Sequence, residues 1–90
     1  MSKQVEVAVV SKEGCLPCIT VKHVMEEMKA ELPELEVTEV DLSSKEGLDL
    51  AVKNSILYPP AVFIDGHLYA KGKIYPKKLE EAIRKAAGVV

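Results

Sequence analysis

The sequence predicts an α/β fold in which helices pack against a mixed β-sheet, and three observations carry that prediction. The hydrophobic period switches between the two-residue repeat of a strand and the helical repeat, giving the order strand, helix, strand, helix, strand, strand, helix. The opening strand–helix–strand unit calls for a right-handed crossover between parallel strands, whereas Asp65-Gly66 between the last two apolar runs marks a hairpin and hence an antiparallel edge. The 90 residues suffice for one domain, expected over 1–90, with no linker, repeat or low-complexity stretch to divide it.

Each element has its own signal. Val5, Val7 and Val9 alternate with Glu6 and Ala8, and Val10 extends a β-branched run suited to a largely buried strand. Ser11, Lys12, Glu13 and Gly14 break it. From Cys15 onward Val21, Val24, Met25, Met28 and Leu32 fall on one helical face, and Pro33 ends that helix. Leu35, Val37, Thr38, Glu39, Val40 and Leu42 read as a second strand whose mixed polarity fits a sheet edge. Ser43 and Glu46 stand at capping-box spacing, predicting a short helix with Leu48, Ala51 and Val52 as its apolar face and Gly47 as a weak point. Ile56-Leu57-Tyr58-Pro59-Pro60 leads into the β-rich Ala61-Val62-Phe63-Ile64, and Leu68-Tyr69-Ala70 returns after the turn. Pro76 suits the first turn of a last helix that carries Leu79, Ala82, Ile83 and Ala86 inward. Glu80/Arg84 and Glu81/Lys85 are its outward i,i+4 pairs and Gly88 its stop.

Composition narrows the function. Twelve basic and fourteen acidic residues leave a formal charge of −2, no electrostatic footprint for nucleic acid or for an anionic membrane. Apolar runs such as Val7 to Val10 are far short of the ~20 residues that cross a bilayer. Met1 to Glu6 lacks the long apolar stretch of a secretory signal, so the cytoplasm is the expected compartment. The expected state is a monomer. A cytosolic setting keeps ordinary thiols reduced, so the two cysteines need an explanation other than a structural disulfide scaffold.

Their position supplies one. Cys15-Leu16-Pro17-Cys18 is a Cys-x-x-Cys where the first strand gives way to the first helix, the context in which this spacing points to redox chemistry. At a helix N-terminus the unpaired N–H groups and the positive end of the dipole stabilise an anion, so Cys15 is expected to ionise below the ~8.5 of a free thiol and act as the nucleophile. Cys18, one turn on, is placed to attack a mixed disulfide on Cys15 and resolve it. Pro17 suits the first helical turn and stiffens the dithiol loop. Lys12, three residues before Cys15, is placed to add positive potential. Tyr58, Leu57, Leu16 and Pro59 are candidates for an apolar rim where a partner docks, the alternative being half-buried loop residues. His23 lies off the face of the pair and reads as a surface histidine, and His67 as a solvated hairpin residue. Two inert thiols, or a zinc site completed by a second copy's Cys-x-x-Cys, are the competing readings of the pair.

Over nearly its whole length the chain resembles the thioredoxin superfamily, and specifically the small glutaredoxin-like thioredoxins of archaea and bacteria. Ser11-Lys12-Glu13-Gly14-Cys15 resembles the glutaredoxin lead-in, while Leu16-Pro17-Cys18 keeps the proline beside the second cysteine as thioredoxins do. Asn54 to Ala61 sits where the family carries its cis-proline loop, which makes Pro60 the cis-proline facing the dithiol. The resemblance implies a thioredoxin fold, a four-stranded mixed sheet flanked by three helices in the order βαβαββα. It implies reduction of protein disulfides by a redox-active Cys15-Cys18 pair without a bound cofactor, with Lys12, Leu16, Pro17, Tyr58, Pro59 and Pro60 lining the substrate site. The implied partners are disulfide-containing proteins and an electron donor of the thioredoxin-reductase type. Alternatives are a glutathione-dependent glutaredoxin and a non-catalytic module of the same fold that binds zinc or an iron–sulfur cluster.

Three positions depart from the family pattern. Pro59 has no N–H to offer an extended substrate segment. Val9 stands where thioredoxins bury an acid, and Glu13 nearby is expected to be solvated. Gly72-Lys73-Ile74-Tyr75-Pro76 replaces the segment with which glutaredoxins hold a glutathione carboxylate.

Overall fold

The computed structural model describes residues 4–88. Residues 1–3 and 89–90, the outer ends of the expected domain and half of the stretch read for a secretory signal, lie outside the described residues. The elements follow the expected order: β1 (Glu6–Ser11), α1 (Leu16–Glu31), β2 (Glu36–Asp41), α2 (Lys45–Asn54), β3 (Ala61–Ile64), β4 (His67–Lys71) and α3 (Pro76–Ala86). The strands form one sheet ordered β2-β1-β3-β4. β1 and β2 run parallel across the α1 crossover, and β3 is antiparallel to both β1 and β4. The mixed-polarity β2 is an edge and the hairpin strand β4 is the other.

Strand geometry divides the core in two, because successive side chains leave opposite faces of a sheet. Val7 and Val9 of β1 and Val62 of β3 meet Val21, Val24, Met25 and Met28 of α1 and Leu79 and Ile83 of α3. On the other face Val10, Val40, Ala61 and Phe63 meet Ile56 and the half-buried Leu50 and Ala51 of α2. The central strand β1 is apolar on both sides for this reason, which is why its valines run together at Val9-Val10 instead of alternating to the end. At Asp65-Gly66 both residues take positive φ, 49° and 83°, the condition of the tight turn that matches strand twist. Asp65 also exchanges bonds with the start of β1: its N–H donates to the Glu6 carbonyl at 2.7 Å and its Oδ1 accepts from the Glu6 N–H at 3.0 Å.

Two helices depart from expectation. The cap of α2 is Ser44, not Ser43: its Oγ accepts from the Gly47 N–H at 3.0 Å and donates to the Asp41 carbonyl at 2.6 Å. That shift by one residue turns the helix, so Gly47, Leu50 and Ala51 face inward while Leu48 and Val52 stand 54% and 81% exposed. Gly47 is the reason. A Cβ there would strike the Asp41 carbonyl and lie 2.8 Å from the Leu42 Cα, so the apparent weak point is where the helix approaches the end of β2 most closely. In α3, Arg84 reaches beyond its own helix. Its Nε and Nη2 donate to both carboxylate oxygens of Glu31 on α1, at 2.6 and 2.9 Å, with Glu80 at 3.6 Å. The guanidinium holds the Glu31 carboxyl below the ordinary carboxylate range. Among the described residues Glu81 and Lys85 form no ion pair.

Candidate active site

The register of the sheet gathers one end of the molecule. Val10 pairs with Ala61, and Ala61 with Lys71. The loop that leaves β1 toward Cys15, the Pro59-Pro60 segment that enters β3 and the Gly72 turn that leaves β4 therefore open at the same end of the sheet. Within the first loop Gly14 takes φ 81°, a conformation that favours glycine, and the Cys15 N–H donates to the Lys12 carbonyl at 3.3 Å. The chain turns there and delivers Cys15 to the start of α1.

Cys15 is the N-cap of α1, with extended backbone, and its Sγ accepts from the Cys18 N–H at 3.1 Å. Leu16 opens the helix and Pro17 follows in its first turn, where the N–H that proline lacks has no intrahelical partner. Cys15 and Cys18 are joined by a disulfide, their Cα atoms 5.2 Å apart. The two sulfurs differ in access: Cys15 is half-buried at the mouth of the loop, Cys18 buried beneath it. The first turn of α1 contains no acidic residue, so nothing there neutralises the positive end of the helix dipole.

The Pro59-Pro60 bond is cis, with Pro60 buried and Pro59 half-buried. The segment before it is held from both ends. Ser55 ends α2 in the left-handed conformation, φ 53°, and the Ile56 N–H donates to the Ala51 carbonyl at 2.9 Å. Lys71 Nζ donates to the carbonyls of Asn54 and Ser55, both at 3.0 Å, placing a cation on the negative end of α2. The Gly72 N–H donates to the Pro60 carbonyl at 2.8 Å. Leu57 and Tyr58 project from this braced segment, 81% and 70% exposed, above a shallow depression shared with Ser55, Lys71 and Gly72. Leu16 is 76% exposed beside Cys15. The half-buried alternative for Leu57 and Tyr58 is therefore wrong: their side chains face outward.

Other predicted site residues fall as follows. Lys12 and Glu13 are exposed, without an ion-pair partner among the described residues. His23 is on the surface beside Glu26 at 3.9 Å, and His67 is exposed at the start of β4. Val9 is buried in the α1 face of the core, and its neighbour across the β1–β2 ladder is Glu39, paired with Lys22 at 3.5 Å. Among the described residues no three His, Cys, Asp or Glu side chains converge as a metal-ligand cluster. Sequence reasoning missed Ile19, a half-exposed apolar residue one turn into α1, and the Lys71-Gly72 brace. The signal for the first was present, since Ile19 lies off the Val21/Met25/Met28 face. Nothing in the sequence marked the second, which depends on strand register.

No family model and no curated protein matches the chain. Solved structures do. A mutant form of the thioredoxin from Halobacterium salinarum is similar at 23% identity and a TM-score of 0.72, over 98% of this chain and 79% of that one. Thioredoxin of Fasciola hepatica is similar at 26% identity and a TM-score of 0.71, covering 92% and 81% of the two chains. An uncharacterised thioredoxin-like protein from Clostridium perfringens reaches a TM-score of 0.73 at 16% identity, over 99% and 75%. Among the described residues no helix is long and apolar enough to cross a membrane. An accessible sulfur bonded to a buried one at a helix N-terminus is equipped for thiol–disulfide exchange. With this strand order, these neighbours and the Cys15-Cys18 disulfide, the chain is a thioredoxin-fold protein carrying a redox-type Cys-x-x-Cys pair.

Proposed function

We propose that the protein is a dithiol–disulfide oxidoreductase that reduces protein disulfides, with Cys15 as nucleophile and Cys18 as resolving thiol. The observation that carries this reading is the asymmetry of the pair: Cys15 caps α1 at the surface, and Cys18 lies buried one turn behind it. In the reduced protein the Cys18 N–H that now bonds Cys15 Sγ, together with the dipole of α1, stabilises a thiolate on Cys15.

That thiolate attacks one sulfur of a partner's disulfide. The partner's S–S bond breaks, its other sulfur leaves as a thiolate that takes up a proton, and Cys15 is joined to the partner in a mixed disulfide. Cys18 then loses its proton and attacks Cys15 Sγ, so the Cys15-Cys18 bond forms as the partner's second sulfur departs and is protonated. Two electrons pass to the partner, which gains two thiols, and the protein is left in its disulfide state. A dithiol donor of the thioredoxin-reductase type returns the electrons by the reverse exchange.

The cis-proline loop supplies the docking edge. Pro59 has no N–H, so this edge offers a bound segment carbonyl oxygens and the apolar surfaces of Leu57 and Tyr58, with Leu16 and Pro17 on the dithiol side. Lys12 adds positive charge ahead of Cys15.

The test is reduction of insulin with dithiothreitol as electron source, run beside trapping with the Cys18→Ser variant. Wild type is expected to turn over, and the variant to stop at a mixed disulfide located on Cys15 by mass spectrometry. A wild type with no turnover and cysteines that alkylate alike near the free-thiol pH would overturn the reading. Trapping of glutathione in preference to insulin chains would redirect it to a glutaredoxin.

A further inference from the structure

Resting on that oxidoreductase reading, we infer that the rim on the β4–α3 side is a cationic docking surface that selects protein partners with acidic residues beside their disulfide. The charge is concentrated there. Lys71, Lys73, Lys77 and Lys78 fall within eight positions that contain no acid, leaving eight basic against fourteen acidic residues for the rest of the chain. Lys71 is committed to the carbonyls of Asn54 and Ser55. Lys73, Lys77 and Lys78 are exposed, and among the described residues none has a carboxylate within ion-pair distance.

Their arrangement costs the fold something. Lys77 and Lys78 occupy the first turn of α3, where cations oppose the helix dipole, and Tyr75 caps that helix without a side-chain bond. Two ammonium groups sit over the same ring, Lys73 at 5.5 Å and Lys78 at 6.0 Å from the Tyr75 centroid. Like charges drawn to one exposed aromatic repel each other, and an anion set between them relieves that repulsion. The other two helices lack this pair of uncompensated cations: α2 sets Glu46 beside Lys45 in its first turn and α1 has no charge in its own.

The place of the cluster decides what the anion belongs to. The Gly72 N–H bonds the Pro60 carbonyl, and Lys71 and Gly72 share a depression with Leu57 and Tyr58. A segment lying across Leu57 and Tyr58 with its disulfide toward Cys15 runs on over Gly72 to Lys73 and the start of α3. Its apolar residues meet the exposed leucine and tyrosine, and carboxylates flanking them meet the lysines. At the mouth of the dithiol loop the one lysine, Lys12, has Glu13 as its neighbour, so the larger excess of positive charge lies on the β4–α3 side.

The test uses two cyclic peptides with the same ring disulfide, one flanked by glutamates and one by glutamines, reduced by the full chain with dithiothreitol as electron source. At low ionic strength the wild type is expected to favour the acidic peptide about tenfold in kcat/KM, falling to about twofold at ~0.5 M salt. The K73E/K77E/K78E variant is expected to reverse the order. Equal, measurable rates for the two peptides at low ionic strength, or a preference for the acidic peptide that salt or the triple substitution leaves undiminished, would overturn the inference. Binding is followed separately by fluorescence anisotropy with serine-substituted, non-reducible peptides. If neither cyclic peptide is reduced but the acidic one still binds more tightly, the surface stands and the oxidoreductase reading fails. Displacement of the acidic peptide by equimolar glutathione would assign the lysines to a small-molecule thiol and overturn the protein-segment inference.

Discussion

The helices α1 and α2 begin in opposite ways. At α2 Ser44 accepts from the Gly47 N–H and Glu46 sets a carboxylate beside Lys45 in the first turn, so an orphan donor is capped by an oxygen and the helix start carries an acid. At α1 the cap atom is the sulfur of Cys15, accepting from the Cys18 N–H, and no acid follows it. The positive end of that helix is left for whatever charge the cap itself carries. On the proposed oxidoreductase reading one backbone device serves structure in one helix and chemistry in the other, and the difference rests on a sulfur in place of an oxygen and on one missing carboxylate.

This contrast is broken most severely at the cap of α1. Cys15→Ser keeps an oxygen to accept from the Cys18 N–H, so the variant is expected to match the reduced wild type in stability to within about 0.5 kcal/mol. Its insulin reduction is expected to fall by on the order of 10³-fold or more. Appreciable turnover would remove Cys15 from the mechanism. The mirror experiment belongs to α2. Gly47→Ala drives a methyl group into the Asp41 carbonyl and is expected to cost about 2 kcal/mol or more, and Ser44→Ala about 1 kcal/mol, in urea unfolding. Neither is expected to change the pH profile of Cys15 alkylation. A Gly47→Ala protein as stable as wild type would mean that α2 does not need its close approach to β2.

A smaller effect comes from making α1 begin as α2 does. Leu16→Glu adds the missing first-turn acid at an exposed position, and is expected to slow alkylation of Cys15 at neutral pH about two- to fivefold through the dipole and direct repulsion. No change would show that the helix terminus does not govern this thiol. The smallest effect lies at the far end of the same helix. Arg84 lowers the carboxyl of Glu31 from its ordinary value of 4.5, so the pair contributes stability above that pH and loses it as the pH falls through the lower folded value. Glu31→Gln is therefore expected to lower the melting temperature slightly at pH 7 and not at all at the acid end, with the pH 7 difference shrinking in high salt. A difference that persists at the acid end would assign the effect to packing.

Much of this molecule is legible without coordinates because the signals are local. The valine run of β1, the 3.6-residue spacing of Val21, Val24, Met25 and Met28, Asp65-Gly66 and Pro76 each act within a few neighbours and name their element. The Cys-x-x-Cys is legible for the same reason, since cap and first turn are adjacent in sequence. The errors sit where one element packs against another, near in the chain or far. Ser44 displaces Ser43 as the cap because the end of β2 and the start of α2 share the Asp41 carbonyl, and Gly47 is required by that same approach. Arg84 has a nearer partner in Glu80, yet its two strongest bonds are to Glu31, 53 residues away.

The order of elements, the edge positions of β2 and the hairpin strand, and the placing of both cysteines at a strand-to-helix junction were determined by the sequence alone, through period, turn chemistry and capping. Tertiary structure decided what shares an end with the dithiol. Antiparallel pairing of β1, β3 and β4 aligns Val10, Ala61 and Lys71, and that register brings Pro60, Gly72 and the lysines of α3 toward the end where Cys15 emerges. Register is set by burying alternate side chains on two faces at once, a condition on the whole sheet that no single strand contains.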